Sequence, residues 1–480
     1  MSHKKSSILI ATIGLALLGL VLIVPLPKAS APCGEEIVLD WRGRASLFVL
    51  GFAALLWATE ALPVAFTGLV AVTLLPMLGA MQWDQAVRAG LTSDVIPFLV
   101  GIMITSEAIA SSGLADRMSR AIAARVGNHP KTAVFILLTT GAALSMCIGN
   151  LSAAAVITPL GIALLEANQA PKERSNLGKS VMIACAWGPL IGAVATPAGS
   201  TSNVLAMGFL SELAGVNISF VQWMAVALPA ALMMIAPAWA VLVTLFPAEP
   251  DALDIRMTHE STEASSTLTR DEWSVVAGTA AMWAVWLGAG ILERATGMRV
   301  SPSLGAILGA LVTLSLRSNG INWAHVESSL SIGTIITVAS GLSLGSAIHG
   351  STAGKWLASI LFSPIIGMPL FPRALLLAAS ICLLKTMFSS NTATAAILMP
   401  VLISLVAGQP GQNSTALWQL VAPAAMATSL STILTTSSPT GLLAYRAGYF
   451  TTADMAKAGL LFLVPASLSL AVACVLLIRG

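Results

Sequence analysis

The stretch SSNTATAAILMP, Ser389 to Pro400, sets two serines, an asparagine and two threonines inside an otherwise apolar run. LLAASICLL lies upstream of it and VLISLV follows directly. Polar groups at hydrocarbon depth cost free energy unless they are partnered. What partners these groups decides whether the run is a plain spanning helix or one interrupted for a purpose.

Composition establishes that hydrocarbon depth is the right frame. Of 480 residues, 56% are hydrophobic and 9% charged, and mean hydropathy is +0.87. Soluble domains carry about a quarter charged residues, so this chain cannot solvate its own surface. Its apolar runs reach the roughly 20 residues that a bilayer core requires, and spanning helices satisfy the backbone there. The chain therefore reads as all-α, a polytopic membrane protein whose first partner is the lipid bilayer. The net charge of +3 gives no sign of nucleic acid. Cys33, Cys147, Cys185, Cys382 and Cys474 are scattered without a CxxC pair, which indicates neither a disulfide framework nor a metal site.

The N-terminus, MSHKKSSILIATIGLALLGLVLIVPLPKASA, mimics a signal peptide: a basic start, an apolar stretch and an A-x-A end at Ala29-Ser30-Ala31. The stretch is long for a signal and many apolar segments follow, so it is read as an uncleaved first transmembrane helix. His3, Lys4 and Lys5 place the N-terminus in the cytoplasm by the positive-inside tendency. The basic cluster Arg117, Arg120, Arg125 and Lys131 is expected in a cytoplasmic loop.

Long apolar segments run over 133–165, 180–210, 374–407 and 416–444 among shorter ones. One polar stretch, 247–272, is rich in Ser, Thr, Glu and Asp and reads as a solvated linker. It separates halves that resemble each other. Trp83 and Trp323 stand 240 residues apart, and Asn150 and Asn391 stand 241 apart. TPAGSTSNVLAMGFL (196–210) answers to TTSSPTGLLAYRAGY (435–449). Three landmarks in one order at near-constant spacing make an internal repeat. The division is 1–40 for the first helix and loop, 41–246 for repeat one, 247–272 for the linker and 273–480 for repeat two.

Repeats of this kind in a membrane protein point to a secondary transporter, with its site at interrupted segments in corresponding positions. The interruptions here are CIGNLS with SSNTAT, and TPAGSTSN (near 196–203) with TTSSPTG (near 436–440). A helix that breaks near the midplane exposes N–H and C=O groups. The N-terminal ends attract anions. Carbonyls, with Ser, Thr and Asn oxygens, suit a small cation such as Na⁺. Small residues also serve plain helix packing, but their recurrence at matching points, with Pro and Gly in the second pair, favours a site.

In these residues the chain resembles the divalent anion/sodium symporter family, the di- and tricarboxylate transporters. The resemblance covers nearly the whole length. It rests on LLWATEALPVAFTGLVAVTLLPMLGA (55–80), FLVGIMITSEAIASSGLADRMSRAI (98–122), SSNTATAAILMP (389–400) and GLLAYRAGYFTTADMAKAGL (441–460). It implies two inverted-topology repeats with re-entrant hairpins and broken helices, an elevator-type transporter and a homodimer. The family's Ser-Asn-Thr triplet at the tip of each hairpin matches Ser390, Asn391 and Thr392 in the second half. There the resemblance implies contact with a substrate carboxylate and a share in a sodium site.

Three departures qualify it. The first triplet reads Gly149-Asn150-Leu151, with Ser152 next door. The loop that often reads Thr-Pro-Pro-Asn is Ser200-Thr201-Ser202-Asn203 in one half and Ser438-Pro439-Thr440 in the other. Two lost hydrogen bonds, at about 1 kcal/mol each, cost on the order of tens-fold in affinity. The third departure is Lys385, which stands roughly 9 Å along a helix axis from Asn391. Its ammonium could substitute for Na⁺ in coupling. Alternatively, since helical side chains lean toward the N-terminus, it snorkels away from the triplet. His349 reads as a helix-end or packing histidine, and Glu60 and Glu107 as structural residues near helix ends.

An enzyme finds no support: the five histidines form no HExxH or other ligand spacing, and no paired carboxylates lie in the apolar runs. The reading is a multi-pass transporter of the plasma membrane, here a bacterial inner membrane, moving di- or tricarboxylates such as succinate, malate or citrate with Na⁺ as the candidate coupling ion. Na⁺-independent exchange, or another anion such as sulfate or a monocarboxylate, is the alternative. Substrate-binding candidates are Asn150, Ser152, Ser202, Asn203, Ser390, Asn391, Thr392, Pro439 and Thr440. Those for Na⁺ are Ser145, Asn150, Gly199, Ser389, Asn391 and Thr436, with Lys385 the candidate coupling substitute.

Overall fold

A computed structural model of the chain describes residues 2–24, 26–30, 36–123, 129–249, 267–297, 300–318, 323–366, 368–406 and 414–478. Most of the polar stretch 247–272, together with Ala31, Cys33 and Arg125, lies outside the described residues. Helix α1 (Ser2–Ile23) is followed by a short antiparallel pair, β1 (Ala29–Ser30) and β2 (Glu36–Ile37). The first repeat then runs α2 (Trp41–Thr59), α3 (Val64–Met77), α4 (Trp83–Leu91), α5 (Val95–Ser111), α6 (Leu114–Ala123), α7 (Pro130–Ile148), α8 (Asn150–Ala167), α9 (Asn176–Ala195), α10 (Thr201–Ala214) and α11 (Phe220–Leu245). The second runs α12 (Arg270–Thr296), α13 (Pro302–Leu316), α14 (Trp323–Ser329), α15 (Ile332–His349), α16 (Thr352–Ile366), α17 (Leu370–Leu384), α18 (Asn391–Val406), α19 (Ser414–Ala427), α20 (Pro439–Tyr445) and α21 (Thr452–Leu477). Among the described residues, nine helical runs are long and apolar enough to cross a membrane.

Each helix from α2 to α11 has a counterpart from α12 to α21, and the landmark residues open the matching pairs. Trp83 and Trp323 begin α4 and α14, and Asn150 and Asn391 begin α8 and α18. Packing follows the same correspondence with partners exchanged between repeats. Helix α3 packs on α15 as α13 packs on α5, and α10 packs on α18 as α20 packs on α8. Within each repeat α7 lies on α9 as α17 lies on α19, and α11 and α21 meet each other directly.

The apolar segments 133–165 and 374–407 are each divided at a tip, so both are helical hairpins. Their opposite sense follows from neighbouring contacts. Gly188 and Gly192 of α9 rest on Leu138 and Ala142 of α7, so these two helices run parallel. Helix α8 returns antiparallel to α9, with Gly161 against Met182 and Ile157 accepting from Cys185 Sγ. After the break, α10 leaves for α5, α15 and α18. It runs parallel to α18: Thr201 meets Thr392, Leu205 and Ala396 flank Gly341, and Phe209 and Pro400 flank Gly345. Helices α8 and α18 therefore leave a shared level in opposite directions. The two repeats are inverted.

Helix α9 is the axis of this arrangement, buried at every residue from Ser180 to Ala195. Small residues permit the close approach that membrane packing needs. Trp187 supplies bulk where α9 meets the second repeat: it stacks on Phe462 at 4.9 Å between centroids and donates Nε1–H to Thr432 O at 3.1 Å.

Two sequence expectations need correction. The second interruption begins at Thr428, just past α19, well before 436–440; a 3-10 turn over Thr435–Ser437 precedes α20. Arg117 and Arg120 belong to helix α6 and Lys131 to the first turn of α7, so these three basic residues are helical and not in a loop. Arg117 gives a two-pronged ion pair to Glu272, at 2.7 and 2.8 Å, which ties α6 to the start of α12. His349 ends α15 within 3.1 Å of Ser404 Oγ, in the helix-end role expected of it.

A side chain at Gly192 would bring its Cβ to 2.0 Å from Ala142 O, a backbone atom of α7. Gly192→Val should destabilise the protein by about 1–3 kcal/mol or more, as overpacking does. Thermal unfolding of the detergent-purified protein, with Gly288→Val on an open helix face as the control, measures the difference.

Candidate anion and cation site

The first tip turns at Gly149, whose φ of +79° lies where only glycine sits without strain. That turn lets α8 begin at Asn150 with no side-chain cap, leaving its first N–H groups unclaimed by the helix. Asn150 and Ser152 are half-buried at this end and Leu151 is 50% exposed. Beside them a cavity of about 480 Å³ is lined by Ser106, Ile148, Leu151, Ser152, Ala155 and Pro159. The second tip is more polar. Ser390 Oγ accepts from Ala393 N, and Asn391 Oδ1 accepts from Ser431 Oγ at 3.0 Å. Thr392 Oγ1 lies 2.6 Å from Thr201 Oγ1, which joins the second tip to the start of α10.

The two breaks are braced against each other. Past each 3-10 turn the chain extends almost identically, with φ −149°, ψ 138° at Ser200 and φ −152°, ψ 149° at Ser438. Ser200, Ser202 and Ser429 form a hydroxyl chain with steps of 2.8 Å, and Ser429 donates to Asn203 Oδ1 at 2.9 Å. The Asn203 amide donates to Ala193 O and Thr196 O, closing the end of α9. Thr196 Oγ1 in turn donates to Met146 O of the first tip at 2.8 Å.

The residues singled out in the sequence fall into distinct surroundings. Ser202 and Asn203 are fully buried and hydrogen-bonded within the protein. Pro439 and Thr436 are exposed, and Ser389 and Ser390 are half-buried. Ser145 Oγ and Thr440 Oγ1 are buried and bond to no described group. Such oxygens are costly unless something else partners them. Gly149 sits close to the carbonyls of Ala198 and Gly199, so the first tip and first break face each other through backbone oxygens.

Lys385 does not snorkel. Its side chain is fully buried, and Nζ donates to Phe388 O at 2.8 Å and, closer still, to Ser437 O. Helix α17 ends at Leu384 and residues 385–387 form a 3-10 turn, so the lean that applies inside an α-helix no longer directs the side chain. Sequence reasoning missed Thr196, Thr201, Ser429 and Ser431. The Ser/Thr-rich run 428–438 was the available signal, and its early start marks the true beginning of the break.

Residues 5–477 match the family described as the sodium:sulfate symporter transmembrane region. An uncharacterized transporter of Haemophilus influenzae is 27% identical over 88% of each chain. The sodium-dependent dicarboxylate transporter SdcS of Staphylococcus aureus is 25% identical over 88% of this chain and 83% of its own. Among solved structures, the Alcanivorax borkumensis YdaH transporter, described as having an unusual topology, covers 98% of this chain with a TM-score of 0.55 and 14% identity, a likeness of fold.

Ser429→Ala should cost about 1–3 kcal/mol, because it leaves the buried Asn203 Oδ1 without its donor. A double-mutant cycle with Ser202→Ala, read by thermal unfolding, should show coupling on the order of 0.5 kcal/mol or more. Additive losses would mean that Ser202 and Ser429 do not brace the two breaks together.

Proposed function

The chain belongs to the sodium:sulfate symporter family, and on that premise we propose that it is a secondary active transporter of small organic dianions, with dicarboxylates as the leading class and citrate as a larger candidate. The observation that carries this reading is that two half-helix N-termini, at Asn150 and Asn391, both open against the first break: Gly149 lies by the carbonyls of Ala198 and Gly199, and Thr392 meets Thr201. Dipoles and N–H groups hold a carboxylate without a fixed counter-charge that would resist release. Ser390, Asn391 and Thr392 take one carboxylate, with Asn150 and Ser152 on the other side, and Thr440 supplies a hydroxyl from the second break. The dicarboxylate specificity of the staphylococcal relative supports this class, and the sulfate in the family description keeps inorganic dianions among the candidates.

Na⁺ is the coupling ion of this reading. The first repeat suits it: the unpartnered Ser145 hydroxyl is buried, and the Gly199 carbonyl faces the tip that carries Asn150. Neutral oxygens of this kind can load and unload an ion. Ser389, Asn391 and Thr436 stand at the corresponding position of the second repeat, where the Lys385 ammonium already engages the carbonyls of Phe388 and Ser437. Transport by an elevator movement in a homodimer, with the N-terminus cytoplasmic, completes the proposal. Exchange of one anion for another without Na⁺ is the second reading, and the burial of the Lys385 ammonium favours it.

Uptake of labelled succinate into proteoliposomes tests both. Accumulation into empty vesicles driven by an inward Na⁺ gradient is the expected result. Uptake only into vesicles preloaded with dicarboxylate, indifferent to Na⁺, would replace symport by exchange. Asn391→Ala should reduce uptake by about tenfold or more, the equivalent of ~1.4 kcal/mol, with the protein still folded in the membrane. Ser145→Ala should raise the Na⁺ concentration for half-maximal uptake while leaving the succinate dependence at saturating Na⁺ little changed.

A further inference from the structure

Inverted repeats allow the surroundings of one tip to be read against those of the other. The counterpart of Asn150 is Asn391, so Leu144 corresponds to Lys385 and Cys147 to Phe388. The matching 3-10 turns make Gly199 the counterpart of Ser437. In the first repeat the Gly199 carbonyl faces the tip at Gly149, the apolar Leu144 stands at the lysine position, and Ser145 Oγ is buried without a partner. In the second repeat the equivalent carbonyl, Ser437 O, receives the Lys385 ammonium, which also bonds Phe388 O of the tip.

From this asymmetry we infer that the Lys385 ammonium is a resident cation, tethered in the position between tip and break of the second repeat, so that this position takes no exchangeable Na⁺. The inference rests on the reading that a cation is bound between each tip and its break. The geometry is that of ion coordination: carbonyl oxygens from two separate segments converge on one positive centre. Lys385 has no ion-pair partner among the described residues. A buried ammonium without a counter-ion is expensive, and it is offset by the two carbonyls and by whatever negative charge arrives at the tips. When protonated, Lys385 thus gives the second repeat a tethered positive charge a short distance before the helix end that would meet the anion. The first repeat retains neutral oxygens and is the one place for a mobile ion. At most one Na⁺ should then participate at these two positions.

The inference is tested on the full-length purified protein without substrate. Lys385→Ala is compared with the wild type by thermal unfolding in choline, sodium and methylammonium chlorides at equal ionic strength. The variant should lose stability in choline and regain it with methylammonium or Na⁺, a cation-dependent rise of a few degrees beyond that of the wild type. An identical cation response in the two proteins would overturn the assignment. If the variant does not fold, the wild type still decides. In vesicles the Na⁺ activation of anion uptake should have a Hill coefficient of at most about one, as for a single site, and a coefficient approaching two would overturn it. Because the unfolding measurement needs no transported anion, a wrong choice of substrate leaves the result on Lys385 standing.

Discussion

The fold is organised by the need to satisfy backbone groups where helices stop at membrane depth. Two hairpins end at tips and two helices break beside them, and each of these ends leaves backbone groups that need partners. The protein brings them together so that each supplies partners for another. Thr196 of the first break bonds Met146 of the first tip, and Thr201 meets Thr392 of the second tip. Ser202, Ser429 and Asn203 join the two breaks. The polar residues that interrupt the apolar segments are thus first of all a structural necessity. The proposed binding site is what the same ends would provide on the side left open.

Exchange of packing partners between repeats ties this centre together. Because α10 lies along α18 and α20 along α8, each broken helix is completed by the hairpin of the other repeat. Helix α9 can occupy the middle because it has glycine and alanine where α7 crosses and a tryptophan where the second repeat crosses. Small residues bring backbones close, and the single large ring fills the space left between elements. This division of labour is expected where dispersion and close approach, instead of water exclusion, drive helix association.

The symmetry is broken at the chemistry. One repeat presents a glycine-turned tip with Asn150, an exposed Leu151 and a buried serine hydroxyl. The other presents a serine- and threonine-rich tip backed by an ammonium. A duplicated scaffold therefore holds two unlike tips. The first repeat has an apolar leucine, Leu144, where the second has the Lys385 ammonium, so the two tips differ in charge.

Much of this was legible along the chain. The membrane class follows from the scarcity of charge, and the repeat from Trp83 and Trp323, Asn150 and Asn391. The tips follow from polar residues set inside apolar runs. These are local properties: hydropathy and backbone breakage are set within a few residues of where they are read. The partners of the polar groups were not legible. Ser429 reaches Asn203, and Thr201 reaches Thr392, across 226 and 191 residues, and nothing in either segment names the other. Lys385 shows the limit most clearly. Its sequence context suggested an α-helix and a side chain leaning toward solvent. The tertiary structure ends that helix one residue earlier and sets Ser437 O within reach, so the ammonium turns inward. Where a charge finds its partner depends on the crossing of segments distant in sequence, and only the folded chain brings them together.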